Sequence, residues 1–154
     1  MLSEPEIRAI ERETALYAHK RAACIDALKI VQRNRGWVSD EHLHDIAALL
    51  EMSVDDLDAV ATFYNLVYRR PVGRHVVHVC DSVSCWLTGS VALSDRLRER
   101  LGVDHGQTTP DGRFTVLPIV CLGACDRAPA ILVDGDLHAD LDPDGLERVL
   151  ERYE

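Results

Sequence analysis

Apolar residues recur at three-and-four spacing through the first seventy positions and then shift to short continuous runs, a change of period that predicts helices followed by a sheet. Ser3 and Glu6 have the spacing of a capping box, and Ile7, Ile10, Tyr17, Cys24, Leu28 and Val31 follow as one stripe. Asn34-Arg35-Gly36 ends that stripe with basic residues and a glycine. The spacing leaves open whether residues 4–35 form one helix or two. Ser39 opens a further helix with Leu43, Ile46, Ala47 and Leu50 on one face. Ser53 opens another, with Asp56 as capping partner and Val54, Leu57, Ala61 and Tyr64 along one side.

Arg69-Arg70-Pro71-Val72-Gly73 breaks the helical pattern and sets a boundary between a helical domain, 1–70, and a second domain, 71–154. There His75–Cys80 reads as a strand, and Trp86, Ser90, Leu93, Leu97 and Leu101 line one helix closed by Gly102. Thr109-Pro110-Asp111-Gly112 is a turn before a strand at 113–120. Residues 130–133 and 137–138 form a hairpin about Asp134-Gly135. Asp142-Pro143 starts a last helix with Leu146, Val149, Leu150 and Tyr153 inward. The predicted order is strand, helix, strand, strand, strand, helix, and the class is α+β.

The 154 residues hold 47% apolar and 28% charged positions, ordinary values for a folded chain. Net charge is −9, with 9 basic and 12 acidic residues over 1–70 and 8 basic and 14 acidic over 71–154. That sign disfavours nucleic acid and suits a protein partner with a basic face. No apolar run approaches the roughly 20 residues needed to span a bilayer, so no direct membrane insertion is expected. The acidic start Met1-Leu2-Ser3-Glu4-Pro5-Glu6 lacks the features of a secretory signal, which points to a cytoplasmic protein. In a reducing compartment, paired cysteines indicate metal or redox chemistry more often than structural disulfides.

Four cysteines fall in two close pairs, Cys80 with Cys85 and Cys121 with Cys125, each just after an apolar run. If those runs are neighbouring strands, the pairs meet at one end of a sheet. Four thiolates suit a binuclear iron–sulfur cluster, two to each iron, and a four-residue gap between ligands occurs in plant-type ferredoxins. Structural zinc more often uses knuckles with two intervening residues, which weakens a zinc-stabilised interaction module without excluding it. A thiol–disulfide exchange site calls for Cys-x-x-Cys at a helix N-terminus, and this chain lacks that spacing.

Val79-Cys80-Asp81-Ser82-Val83-Ser84-Cys85, then Gly106 to Thr115, then Cys121-Leu122-Gly123-Ala124-Cys125-Asp126-Arg127-Ala128-Pro129 resemble the thioredoxin-like binuclear ferredoxins. That family includes the 24-kDa subunit of respiratory complex I and the small subunits of NAD-dependent formate dehydrogenases and NAD-reducing hydrogenases. Gly36-Trp37-Val38-Ser39 and Ala61-Thr62-Phe63-Tyr64 extend the resemblance over nearly the whole chain. It implies a helical bundle followed by a thioredoxin-like α/β domain with a mixed sheet. It also implies one [2Fe-2S] cluster on Cys80, Cys85, Cys121 and Cys125, exchanging single electrons with the FMN of an NAD(H)-binding flavoprotein subunit. The chain then has no catalytic residues of its own and serves as one subunit of an NAD-dependent oxidoreductase. Asp81-Ser82-Val83-Ser84 and the short length look most like the gamma subunit of a soluble NAD-dependent formate dehydrogenase, with a larger Fe-S/molybdenum subunit beyond the flavoprotein. Complex I and the hydrogenase are the alternatives.

Hydrogen-bond donors to the sulfurs are expected among the amides of Val83-Ser84 and Leu122-Gly123-Ala124 and the hydroxyls of Ser82 and Ser84. Asp81 and Asp126 would oppose reduction, with Arg127 cancelling part of their charge. Other chemistry-bearing residues have plainer readings. Cys24 lies on an apolar stripe as a buried thiol, and Trp86, Phe63 and Tyr64 are core residues first. His42 and His44 are solvated, and His78 is not needed as a ligand beside four cysteines. Asp134-Gly135-Asp136 suffices as a turn and is too short for a calcium loop.

Overall fold

Glu6 is where the first helix is secured. Its carboxylate, 2% exposed, accepts from the Ser3 amide and the Ser3 hydroxyl, both at 2.8 Å, and from Arg35 Nη2 at 2.6 Å and Nε at 2.8 Å. A computed structural model describes residues 1–153, which divide after Pro71 into two units. The first unit holds α1 (Glu4–Thr14), α2 (Cys24–Arg35), α3 (Asp40–Leu50) and α4 (Val54–Phe63), with a 3-10 turn at Lys20–Ala23. Residues 4–35 are therefore two helices. Tyr17 lies in the break between them, and its hydroxyl donates to Asp26 at 3.0 Å. The predicted stripe crossed that break, so Tyr17 is exposed while Ile10, Leu28 and Val31 are fully buried.

Gly36 ends α2 at φ +82, a left-handed conformation that favours glycine. Ser39 and Ser53 cap the next two helices, their hydroxyls accepting from the amides of His42 and Asp56. Leu43, Ile46, Leu50, Leu57 and Ala61 close the core against Ile10, Leu28 and Val31. Each large aliphatic side chain there contributes about 1.5–3 kcal/mol by leaving water. Cys24 is only half-buried at the core margin, because it sits at the first position of α2. Phe63 and Tyr64 are 76% and 43% exposed, because α4 ends there and the chain turns out of the helical face. His42 is not solvated: Arg35 Nη1 donates to its Nε2 at 2.9 Å. His44 is exposed.

The second unit is a five-stranded mixed sheet in the order β2-β3-β1-β4-β5. Its strands are β1 (His75–Cys80), β2 (Gln107–Thr108), β3 (Phe114–Ile119), β4 (Ile131–Val133) and β5 (Asp136–His138). β1 runs parallel to β3, from His75 against Phe114 to Cys80 against Ile119, and every other pairing is antiparallel. The parallel pair is joined through α5 (Val83–Thr88) and α6 (Ser90–Leu101), and α7 (Pro143–Leu150) follows the sheet. The single helix expected over 86–101 is broken at Gly89, whose φ is +123. That break puts Trp86 on a separate short helix, 60% exposed and outside the core. β2 was not foreseen, since two exposed residues carry no periodicity.

Val77 and Val79 of β1 pack with Leu93 and Leu97 of α6, Leu146 and Leu150 of α7, and Ile131 and Val133 of β4. Alternation along the strand turns His78 and Cys80 to the other face. Asp134 and Gly135 link β4 to β5 with positive φ at both positions, a tight hairpin turn. Asp134 also reaches back to β1, accepting from the Val76 amide at 2.8 Å and meeting His75 Nδ1 at 2.5 Å.

Candidate metal centre

Two parallel strands that end together bring the two cysteine segments to one edge. Cys80 is the last residue of β1, and Asp81 continues the ladder by donating its amide to Ile119 O at 3.0 Å. Two residues on, α5 begins, and its third residue is Cys85. β3 stops at Ile119, after which Cys121 and Cys125 lie in a loop and in a 3-10 turn, Cys125–Arg127. Cys80 and Cys85 are buried among Ile119 and Ala130, whereas Cys121 and Cys125 are exposed.

The thiols fall in two pairs. Cys80 and Cys85 belong to one buried cluster with Ile119 and Ala130, and Cys121 Sγ lies 3.7 Å from Cys125 Sγ. The parallel pairing of β1 with β3 places both pairs at the same end of the sheet. Among the described residues no three Cys, His, Asp or Glu side chains converge on a single ion position. Four thiols are the number that a binuclear iron–sulfur cluster takes, two to each iron.

Their protonation reflects their surroundings. Burial, with Cys80 alongside, pushes the Cys85 thiol up to about 11. The Gly123 amide, donating to Cys121 Sγ at 3.3 Å, holds Cys121 below the ordinary thiol value, with Cys125, Ser82 and Cys80 adding to the effect. Cys125 is raised, chiefly by its hydrogen bond with Cys121 and by that neighbour's charge. Gly123 adopts φ +77, which turns its N–H back to the sulfur and favours glycine there. Of the expected donors, the Gly123 N–H reaches sulfur. The Ala130 carbonyl, brought in next to β4 from a distant segment, accepts from the Cys80 amide at 3.3 Å, a contact that no sequence pattern signalled.

Arg127 does not serve the site as expected. It pairs with Asp140 at 2.8 Å, and its carbonyl accepts from the Asp140 amide, so its charge is drawn to the β5–α7 loop. Asp81 and Asp126 are exposed and form no ion pair among the described residues. Around the cysteines Val83, Trp86, Leu87 and Val120 are all more than half exposed, a cluster of large apolar side chains that soluble surfaces rarely leave bare.

Known proteins resemble this chain along nearly its whole length. The E subunit of NADH-quinone oxidoreductase from Pseudomonas aeruginosa is 48% identical over 153 residues, covering 99% of this chain and 92% of the relative. Its counterpart in Escherichia coli strain K12 is 49% identical over 152 residues, covering 99% and 92%. Among solved structures, an NAD+-reducing [NiFe]-hydrogenase in the H2-reduced state superposes with a TM-score of 0.71 at 26% identity. That match covers 85% of this chain and 22% of the hydrogenase chain. The family model for thioredoxin-like [2Fe-2S] ferredoxins matches residues 10–154, and a family of that kind holds one binuclear cluster. The chain belongs to the thioredoxin-like [2Fe-2S] ferredoxin family.

Proposed function

We propose that this chain is the electron-transfer subunit of a complex I-type NADH:quinone oxidoreductase, with its cluster on Cys80, Cys85, Cys121 and Cys125. The observation that carries the ligand assignment is the parallel pairing of β1 with β3, which ends the two strands together with the Cys80/Cys85 pair after one and the Cys121/Cys125 pair after the other. Relatives 48–49% identical along 99% of the chain are subunits of NADH-quinone oxidoreductase, which favours that complex over the formate dehydrogenase expected from the Asp81–Ser84 segment. The hydrogenase likeness is a weaker alternative of the same chemistry.

A bound binuclear cluster supplies one-electron chemistry, and a flavin on the partner subunit connects it to two-electron hydride transfer. The chain's own residues hold and shelter this centre. Cys80 and Cys85 anchor it in the sheet edge, and Cys121 and Cys125 bring it to the surface. The apolar collar of Val83, Trp86, Leu87 and Val120, with the unpaired Asp81 and Asp126, suits a flavoprotein face that is apolar at its centre and basic at its rim. None of the helices among the described residues is long and apolar enough to cross a membrane. The chain works as a peripheral subunit on the cytoplasmic side, joined to further Fe-S subunits through the flavoprotein.

The test is to purify the chain from cells that also express its flavoprotein partner. Two irons and two acid-labile sulfides per chain, a binuclear electron paramagnetic resonance signal on reduction, and co-purification with NADH-oxidising flavoprotein are expected. Replacing any one of the four cysteines by alanine abolishes that signal. Colourless protein with stoichiometric zinc sinks the reading, and recovery in a formate-oxidising complex reinstates the formate dehydrogenase.

A further inference from the structure

Asp140 lies in the loop between β5 and α7 with φ +54, a left-handed conformation uncommon for any residue but glycine. Among the described residues two other non-glycine positions share it, each with a local reason: Glu51 ends α3, and Asp134 turns the β4–β5 hairpin. Asp140 ends no helix and turns no hairpin, and such a conformation persists where surrounding contacts hold it. Its hydrogen bonds lead to one place. The Asp140 amide donates to Arg127 O at 2.7 Å, and its carboxylate accepts from Arg127 Nε at 2.8 Å. The next amide, that of Leu141, donates to Pro129 O at 3.2 Å. Ala139, just before, packs against the buried group of Cys80, Cys85, Ile119 and Ala130.

Arg127 closes the 3-10 turn that begins at Cys125, its own amide donating to Ala124 O at 3.0 Å. Among the described residues, the bond from the Asp140 amide to Arg127 O is the one backbone hydrogen bond that ties residues 121–127 to another part of the unit. An exposed ion pair contributes little by itself. Here it doubles a backbone bond between the same two residues, so both attachments act on one turn. We propose that Asp140 is a positioning residue for the cluster, clamping the turn that carries Cys125 to the end of β5 so that the exposed cysteine pair is set before iron arrives. The inference rests on the proposed ligand assignment. Cys80 is fixed by β1 and Cys85 by α5, whereas Cys125 has only its short turn. A ligand free to swing must be ordered at each binding event, and an outer partner that holds it beforehand slows release of the group it binds. Asp140 does this through Arg127, two residues from the ligand.

The experiment follows bleaching of the cluster-loaded full chain in excess EDTA by visible absorption, with electron paramagnetic resonance of the reduced samples. Asp140→Ala removes the carboxylate and disfavours the left-handed backbone; it is expected to speed cluster loss about tenfold and to alter the g values of the binuclear signal. Asp140→Asn keeps an oxygen acceptor and tolerates that backbone, so it retains the wild-type rate and spectrum. Arg127→Ala leaves the backbone bond and removes the ion pair, for an acceleration of about threefold. Asp134→Ala is the control, because Asp134 is also left-handed but lies at the opposite end of β1, beside His75, and it leaves rate and spectrum unchanged. Equal acceleration by Asp134→Ala assigns the effect to general loss of stability and overturns the clamp. An unchanged rate in Asp140→Ala, or an acceleration in Asp140→Asn as large as in Asp140→Ala, overturns it too. Should Asp140→Ala yield no folded chain, Arg127→Ala decides, and an unchanged rate there overturns the clamp. Wild-type protein without a binuclear signal removes the proposed function as well, whereas a wild-type signal that these variants leave untouched removes the clamp alone.

Discussion

Replacing Glu6 by glutamine tests how the helical unit is held together. Oε2 of Glu6 accepts from the Ser3 amide, the Ser3 hydroxyl and Arg35 Nη2, and Oε1 accepts from Arg35 Nε at 2.8 Å and Asn34 Nδ2 at 3.4 Å. Whichever oxygen becomes an amide nitrogen, it faces at least one guanidinium N–H, donor against donor, and the Arg35 charge loses its partner. Breaking such a buried pair from one side typically costs about 3–5 kcal/mol, more than the ~1 kcal/mol of a lost helix cap. With an ordinary urea dependence near 2 kcal/mol per molar, the expected fall in midpoint is roughly 1.5–2.5 M. Urea unfolding of the helical unit can be followed by far-ultraviolet circular dichroism. The Arg35 guanidinium, backed by Ser3, holds the Glu6 carboxyl well below the usual carboxylate range against the opposing effect of burial. Its contribution is thus fully present above the unfolded value of about 4.3 and is lost as pH falls from there toward the folded value. The gap between wild type and Glu6→Gln should therefore narrow below about pH 4. A loss under about 1 kcal/mol at pH 7, or a gap that stays constant into acid, would refute the reasoning.

Three further outcomes follow from other parts of the chain. Arg35 can only donate, so His42 Nε2 is the acceptor, and burial and the guanidinium hold His42 below its ordinary value; stability should fall as pH drops below about 6.5, and His42→Gln should remove that slope in chemical denaturation. Ile131 is fully buried between the sheet and its helices, so Ile131→Ala should cost about 2–5 kcal/mol in urea titration, and a loss below about 1 kcal/mol would contradict the packing. Asp126 lies next to Cys125 with Arg127 committed to Asp140, so Asp126→Asn should raise the midpoint potential most at low salt, and an unchanged or lower potential would count against an electrostatic role.

Legibility in the sequence followed the physical range of each signal. Caps act within one turn, and Ser39, Ser53 and Asp142 were readable because donor and acceptor lie three residues apart. Strands His75–Cys80 and Phe114–Ile119 were readable as apolar runs, and the helix expected between them is the kind of crossover their parallel pairing uses. What escaped depended on where a helix stops. Gly89 was invisible as a break because Trp86, Leu93 and Leu97 keep helical spacing across it, and that spacing wrongly drew Trp86 inward. Phe63 and Tyr64 failed for the same reason at the end of α4. At the candidate site, the two cysteine pairs and the Gly123 donor were legible from adjacency, whereas the contact of the Ala130 carbonyl with the Cys80 amide and the pull of Asp140 on Arg127 came through the β4–β5 hairpin, beyond any local pattern.

The division between a buried and an exposed pair follows from how the two strands end. β1 is the central strand, so a residue at its end is enclosed by β3 and β4, and α5 folds Cys85 back into the same recess. β3 has only the two-residue β2 on its outer side, and the chain leaving it runs along the surface. A centre held this way is anchored from the sheet and presented by the loop. Burying all four thiols would leave a growing negative charge without solvent or donors, at a desolvation cost of several kcal/mol per charge. Exposing all four would leave the centre without a fixed wall. The central strand and its parallel neighbour provide one buried and one exposed side, and the uncovered side is where Trp86, Leu87 and Val120 remain bare.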